Sequence, residues 1–128
     1  MKSIFKAVWP YQDDEMNLPV PNVEEAIPFY EKIMGFKVES RSASPHNSAI
    51  LSRDNIKIGL AENGGDPTQD GCVFTVDSVE AAYSELKENG LEQKAVDFRI
   101  DEHNGKRFKV FFVVAPDGLC FCLSEPVN

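Results

Sequence analysis

Histidine is scarce in this sequence of 128 residues, with only His46 and His103 present, and there are three cysteines and one tryptophan. A metal triad of two histidines and one carboxylate would need both histidines. Both fall in turn-like text, one in Ser44-Pro45-His46-Asn47 and the other in His103-Asn104-Gly105. The cysteines, Cys72, Cys120 and Cys122, are odd in number and closely spaced, which argues against a secreted disulfide framework and predicts free thiols. No apolar run approaches the roughly 20 residues of a membrane span, and Met1-Lys2-Ser3-Ile4-Phe5-Lys6 lacks the apolar core of a secretory signal. A cytoplasmic location with no membrane partner is therefore expected. The 13 Lys and Arg residues form no run and face 21 Asp and Glu, a formal charge of -8 that disfavours nucleic acid as a partner.

Apolar residues make up 42% of the chain and charged residues 27%, ordinary globular usage, so residues 1–128 are read as a single domain. The clearest helix signal starts at Asn22, with Glu25 three residues on as in a capping box. Val23, Ala26, Ile27, Tyr30, Ile33 and Met34 then form one apolar stripe before Gly35. Pro28 inside this stretch predicts a bend or a first turn that starts late. A second helix is predicted from Ser78, with Val79, Ala82, Tyr83 and Leu86 on one face and Asn89-Gly90 as its stop. Each helix is followed by three strand-like segments: 35–41, 48–53 and 55–61 after the first, 93–100, 107–115 and 119–124 after the second.

The turn-rich stretch 62–71 divides the chain near its midpoint, and the two halves repeat one another. Val20-Pro21-Asn22-Val23-Glu24 aligns with Val76-Asp77-Ser78-Val79-Glu80. Asp54-Asn55-Ile56-Lys57-Ile58-Gly59-Leu60 aligns with Asp117-Gly118-Leu119-Cys120-Phe121-Cys122-Leu123. With Phe29-Tyr30, Met34-Gly35-Phe36 and the Pro116-Asp117-Gly118 turn, this plan resembles the vicinal oxygen chelate superfamily, the glyoxalase/bleomycin resistance/dioxygenase group, over about residues 14 to 125. The resemblance implies an α+β fold of two βαβββ modules in tandem, at about 14–61 and about 71–125, with curled mixed sheets around a cavity. It also implies a homodimer.

Metal-binding members of that group draw ligands from the first and last strands of each module. Counting from the motifs places those positions at Glu15, Gly59, Gly71 and Cys122, of which only Glu15 is a hard ligand, so neither a metal nor any other cofactor is expected. Strand alternation supplies further cavity candidates: Lys57, Arg107, Lys109 and Phe111, together with Cys120 and Cys122 on one face of the last strand. For the basic residues the competing reading is a strand end reaching solvent. For the thiols it is core filling. Asp13-Asp14-Glu15 reads more readily as a solvated acidic loop, and the aromatic stretch Phe5, Trp9, Tyr11 as an extra strand at a dimer edge, a cap on the cavity mouth or core packing. The expected function is metal-independent binding of a small molecule, such as sequestration of an antibiotic or metabolite. The alternative is a metal-dependent lyase, isomerase or dioxygenase using Glu15.

Overall fold

The computed structural model describes residues 4–10, 17–44, 46–92 and 98–127. Helix α1 spans Val23–Lys32 and α2 spans Val79–Glu88. Each starts where the sequence places a cap: the Asn22 side chain accepts from Glu25 N at 3.0 Å, and Ser78 Oγ from Ala81 N at 3.1 Å. A second acceptor recurs at both ends. Val23 N donates to Glu62 Oε2 and Val79 N to Glu125 Oε1, so a carboxylate from the far end of each module holds the positive end of its helix. The first turn of α1 is not delayed by Pro28, because Ala26 N already bonds Asn22 O and Pro28 lies on the exposed side in the second turn.

Among the described residues nine strands form two mixed sheets: β1 (Phe5–Pro10), β2 (Asn17–Pro19), β3 (Lys37–Ser42), β4 (Ser48–Arg53), β5 (Ile56–Ala61), β6 (Gly71–Val76), β7 (Arg99–His103), β8 (Lys106–Val114) and β9 (Cys120–Val127). The four-stranded sheet runs β2-β5-β4-β3, and the five-stranded sheet runs β1-β6-β9-β8-β7. Without β1 the two orders are the same, and the register repeats as well. In the parallel pair β2/β5, Asn17 faces Gly59 and Leu18 faces Leu60; in β6/β9, Val73 faces Cys122 and Phe74 faces Leu123. The two βαβββ units expected from the sequence repeat are thus present, but the sheets do not close. Of the N-terminal aromatic stretch, Phe5 and Trp9 lie in a strand, β1, antiparallel to β6, with Phe5 fully buried, and Tyr11 lies outside the described residues. Of the strand expected at 93–100, residues 93–97 lie outside the described residues and β7 starts at Arg99.

One core joins the halves. Phe5, Phe36, Phe74, Phe121 and Tyr30 form a continuous aromatic chain with ring centroids 5.3 to 6.1 Å apart. Each helix also grips the last turn of the opposite module. From α1, the Tyr30 hydroxyl donates to Asp117 Oδ2 at 3.0 Å. From α2, Glu85 takes both terminal nitrogens of Arg53 at 2.6 Å, and Arg53 Nη1 also donates to Met34 O. The Arg53 guanidinium lies 4.1 Å over the Phe5 ring, and its Nε faces Asp54, whose Oδ2 in turn accepts from Phe5 N. The ion pair therefore ties β1, β4, α1 and α2 at one point, where Gly35, with φ +79°, leaves the room a side chain would take from Arg53.

Candidate functional site

Strand parity and ladder register decide which side chains face away from the helices. On β6 and β9 the sequence assignment matches the structure: Cys72, Phe74, Phe121 and Leu123 are buried in the core, while Val73, Thr75, Cys122 and Ser124 line a shallow pocket on the opposite face. On β5, Ile56, Ile58 and Leu60 pack inward and Lys57 is exposed.

The assignment for β8 is reversed. Phe111 pairs with Leu123, Val113 with Phe121 and Lys109 with Glu125. Directly opposed residues share a face, so Arg107, Lys109, Phe111 and Val113 belong to the helix side. Phe111 is buried edge-on against Tyr83 and Phe98, and Lys109 pairs with Glu80 of α2 and lies over Phe98. Phe108 and Val110, expected against the helix, instead face the pocket. Both alternating sets of β8 are rich in apolar residues, so composition alone left the parity undecided; the ladder to β9 fixes it.

The pocket on this open face has a volume of about 280 Å³ and is lined by Val73, Thr75, Asp101, Phe108, Val110, Cys122 and Ser124. Four of these come from the central pair β6/β9, which aligns Val73 with Cys122 and Thr75 with Ser124 in neighbouring rows of one face. The rows continue outward from Ser124 to Val110 and Arg99, and from Cys122 to Phe112. At the edge, the Arg99 guanidinium lies 4.9 Å over the Phe112 ring and pairs with Asp101. The floor is apolar with two hydroxyls and a thiol. Burial pushes the Cys122 thiol up to about 11, so it stays protonated at neutral pH and acts as a soft, uncharged wall. Asp101, Phe108 and Val110 were missed from the sequence. A correct register for β8 would have revealed the last two.

The remaining candidates are dispersed. Glu15 lies outside the described residues. Lys57 projects from the four-stranded sheet, Arg107 is exposed near the end of β8, and Cys120 is half-buried one row from Cys122. The basic ring of Lys57, Arg107 and Lys109 is not assembled. Among the described residues no three His, Cys, Asp or Glu side chains gather as metal ligands. Of the four positions from which a divalent ion would be held, Glu15 lies outside the described residues, Gly59 and Gly71 offer no side chain and Cys122 offers a soft sulfur, a donor set that does not fit a hard cation.

The sequence matches the family model described as the Glyoxalase/Bleomycin resistance protein/Dioxygenase superfamily over residues 14–122. No curated protein matches it significantly. Several solved structures share the fold. A protein from the mobile metagenome of V. pseudocholerae is 19% identical, with a TM-score of 0.69 and 91% of this chain and 95% of that one covered. An antibiotic-binding protein from Streptomyces sp. CB03234 is 22% identical, with a TM-score of 0.61 and coverage of 91% and 98%. A bleomycin-binding protein, solved with bleomycin, is 25% identical, with a TM-score of 0.59 and the same coverage.

Proposed function

The chain belongs to the glyoxalase/bleomycin resistance/dioxygenase superfamily, and from that premise we propose that it is a metal-independent small-molecule-binding protein whose ligand lies on the open face of the five-stranded sheet. The observation that carries the reading is the pocket of Val73, Thr75, Phe108, Val110, Cys122 and Ser124: mainly apolar, with a few polar groups to orient a ligand. The antibiotic-binding and bleomycin-binding proteins of the same fold support a small-molecule ligand, an antibiotic or a metabolite. The donor-poor strand positions support binding without a metal and weigh against the lyase, isomerase or dioxygenase alternative.

At about 280 Å³ the pocket is too shallow to enclose such a ligand alone. A second copy of the chain, laid over the open face and covering Phe112, would complete it; this is the homodimer that the resemblance implies. The test is a thermal-shift screen of aromatic antibiotics and metabolites. A ligand at 100 times its Kd should stabilise the fold by about 2.7 kcal/mol, and a Thr75→Arg variant, which fills the pocket from its half-exposed edge, should lose that stabilisation. No hit across chemically diverse classes, or hits indifferent to the substitution, would contradict the proposal.

A further inference from the structure

A groove of about 850 Å³, larger than the pocket above and separate from it, lies at the β4–β5 turn end of the four-stranded sheet. Its lining includes Lys37, Ser52 and Lys57, which the ladder places in one row: Lys37 faces Ser52 across β3/β4, and Ser52 faces Lys57 across β4/β5. Residues in one row share a face. Here it is the face away from the helices, because the neighbouring Leu51 and Ile58 are in the core. Strand spacing puts the two lysine backbones about 10 Å apart with the serine midway. Neither lysine has a carboxylate within ion-pair distance, and the hydroxyl of Ser52, a residue 7% exposed between them, has no protein hydrogen-bond partner among the described residues.

The acidic side chains of the same groove are Asp54, Glu85, Glu31 and Glu39. Arg53 holds Asp54 and Glu85 at the floor. Glu31 and Glu39 stay unpaired with the lysines although the fold brings all of them to one lining. The feature is the row itself: two exposed ammonium side chains flank one hydroxyl, while two of the groove's four carboxylates are held by Arg53. Two ammonium groups and a hydroxyl between them match an oxyanion with several acceptor oxygens.

We propose that Lys37, Ser52 and Lys57 form an oxyanion subsite that takes the phosphate or carboxylate group of a small molecule. The subsite is independent of the apolar pocket on the other sheet. The test is an ¹⁵N heteronuclear NMR titration at low ionic strength with inorganic phosphate and, separately, acetate, each against a chloride control of matched ionic strength. Saturable shifts at the Lys37, Ser52 and Lys57 amides are expected with at least one anion. Phosphate alone would mark a phosphoryl ligand, and both anions would mark a site tolerant of carboxylate. The Lys37→Gln/Lys57→Gln variant, whose exposed substitutions leave the core untouched, should bind at least tenfold more weakly. Shifts that never saturate, shifts that match chloride, or an affinity unchanged in the variant would overturn the proposal.

Discussion

The hydrogen bond from the Tyr30 hydroxyl to Asp117 joins α1 to the turn before β9, and burial pushes both groups above their ordinary pKa values, Tyr30 far above. A carboxyl group whose folded-state pKa is raised stabilises the fold most when protonated, and that contribution is lost as the pH climbs through the raised value. The tyrosine is then the donor that keeps the buried charge tolerable. Tyr30→Phe is expected to cost about 1.5–3 kcal/mol at neutral pH, as for a hydrogen bond to a charged group, and less in acid, where Asp117 is neutral. Urea denaturation at pH 7 and pH 3 measures this, and a cost that does not shrink in acid would refute it. The thiols give a second prediction. Cys72 is buried, Cys122 is buried with its pKa raised to about 11, and Cys120 is half-exposed. Iodoacetamide at pH 8 should therefore label Cys120 before the other two, as read by peptide mass mapping; Cys122 labelled first would mean a wall less buried than described here. The inward and outward faces of β6 and β9 were legible in the sequence because Cys72, Phe74, Phe121 and Leu123 alternate with smaller or polar residues. Those of β8 were not, since Phe108, Val110 and Phe112 on one face match Phe111 and Val113 on the other.

At the level of elements, the caps and turns were legible and the long-range polar contacts were not. Asn22, Ser78 and the Asn104-Gly105 turn, where both residues have positive φ, act through neighbours in sequence, so their text announces them. Glu62 and Glu125 act on helices about 40 residues away in sequence; only their equal places in the two repeats hint at it. Arg53 and Glu85 carry no such hint, because a Glu in mid-helix beside Val79, Ala82 and Leu86 reads as surface. Their side chains are 6% and 5% exposed, so removing one partner strands a buried charge. Glu85→Ala should lose about 3–5 kcal/mol, whereas Arg53→Met combined with Glu85→Leu should recover most of that loss. Chemical denaturation of Arg53→Met, Glu85→Leu and the double variant, with Glu85→Ala beside them, closes the cycle. A double variant no more stable than Glu85→Ala would show that the pair's hydrogen bonds to Met34 and Asp54, rather than charge balance, hold this junction.

Across the whole molecule, the duplicated plan leaves two open sheet faces of different character. The five-stranded sheet presents Val73, Val110, Phe108 and Cys122; the four-stranded sheet presents Ser52, Lys57 and Lys37. The helices and the aromatic chain fill the space between the modules, so the surfaces free to meet a ligand or a second copy are the ones turned away from it. If a second copy covers the apolar face, Phe112→Glu should shift the protein from dimer to monomer in sedimentation velocity, and a monomeric parent protein would remove that part of the proposal. The central claim is that binding here proceeds without a metal, because the strand positions offer too few donors. Native mass spectrometry of protein purified without chelator tests it most directly. The predicted spectrum shows a dimer free of stoichiometric metal, with or without a co-purified organic ligand, whereas one tightly held iron, manganese, nickel or zinc ion per chain would contradict it.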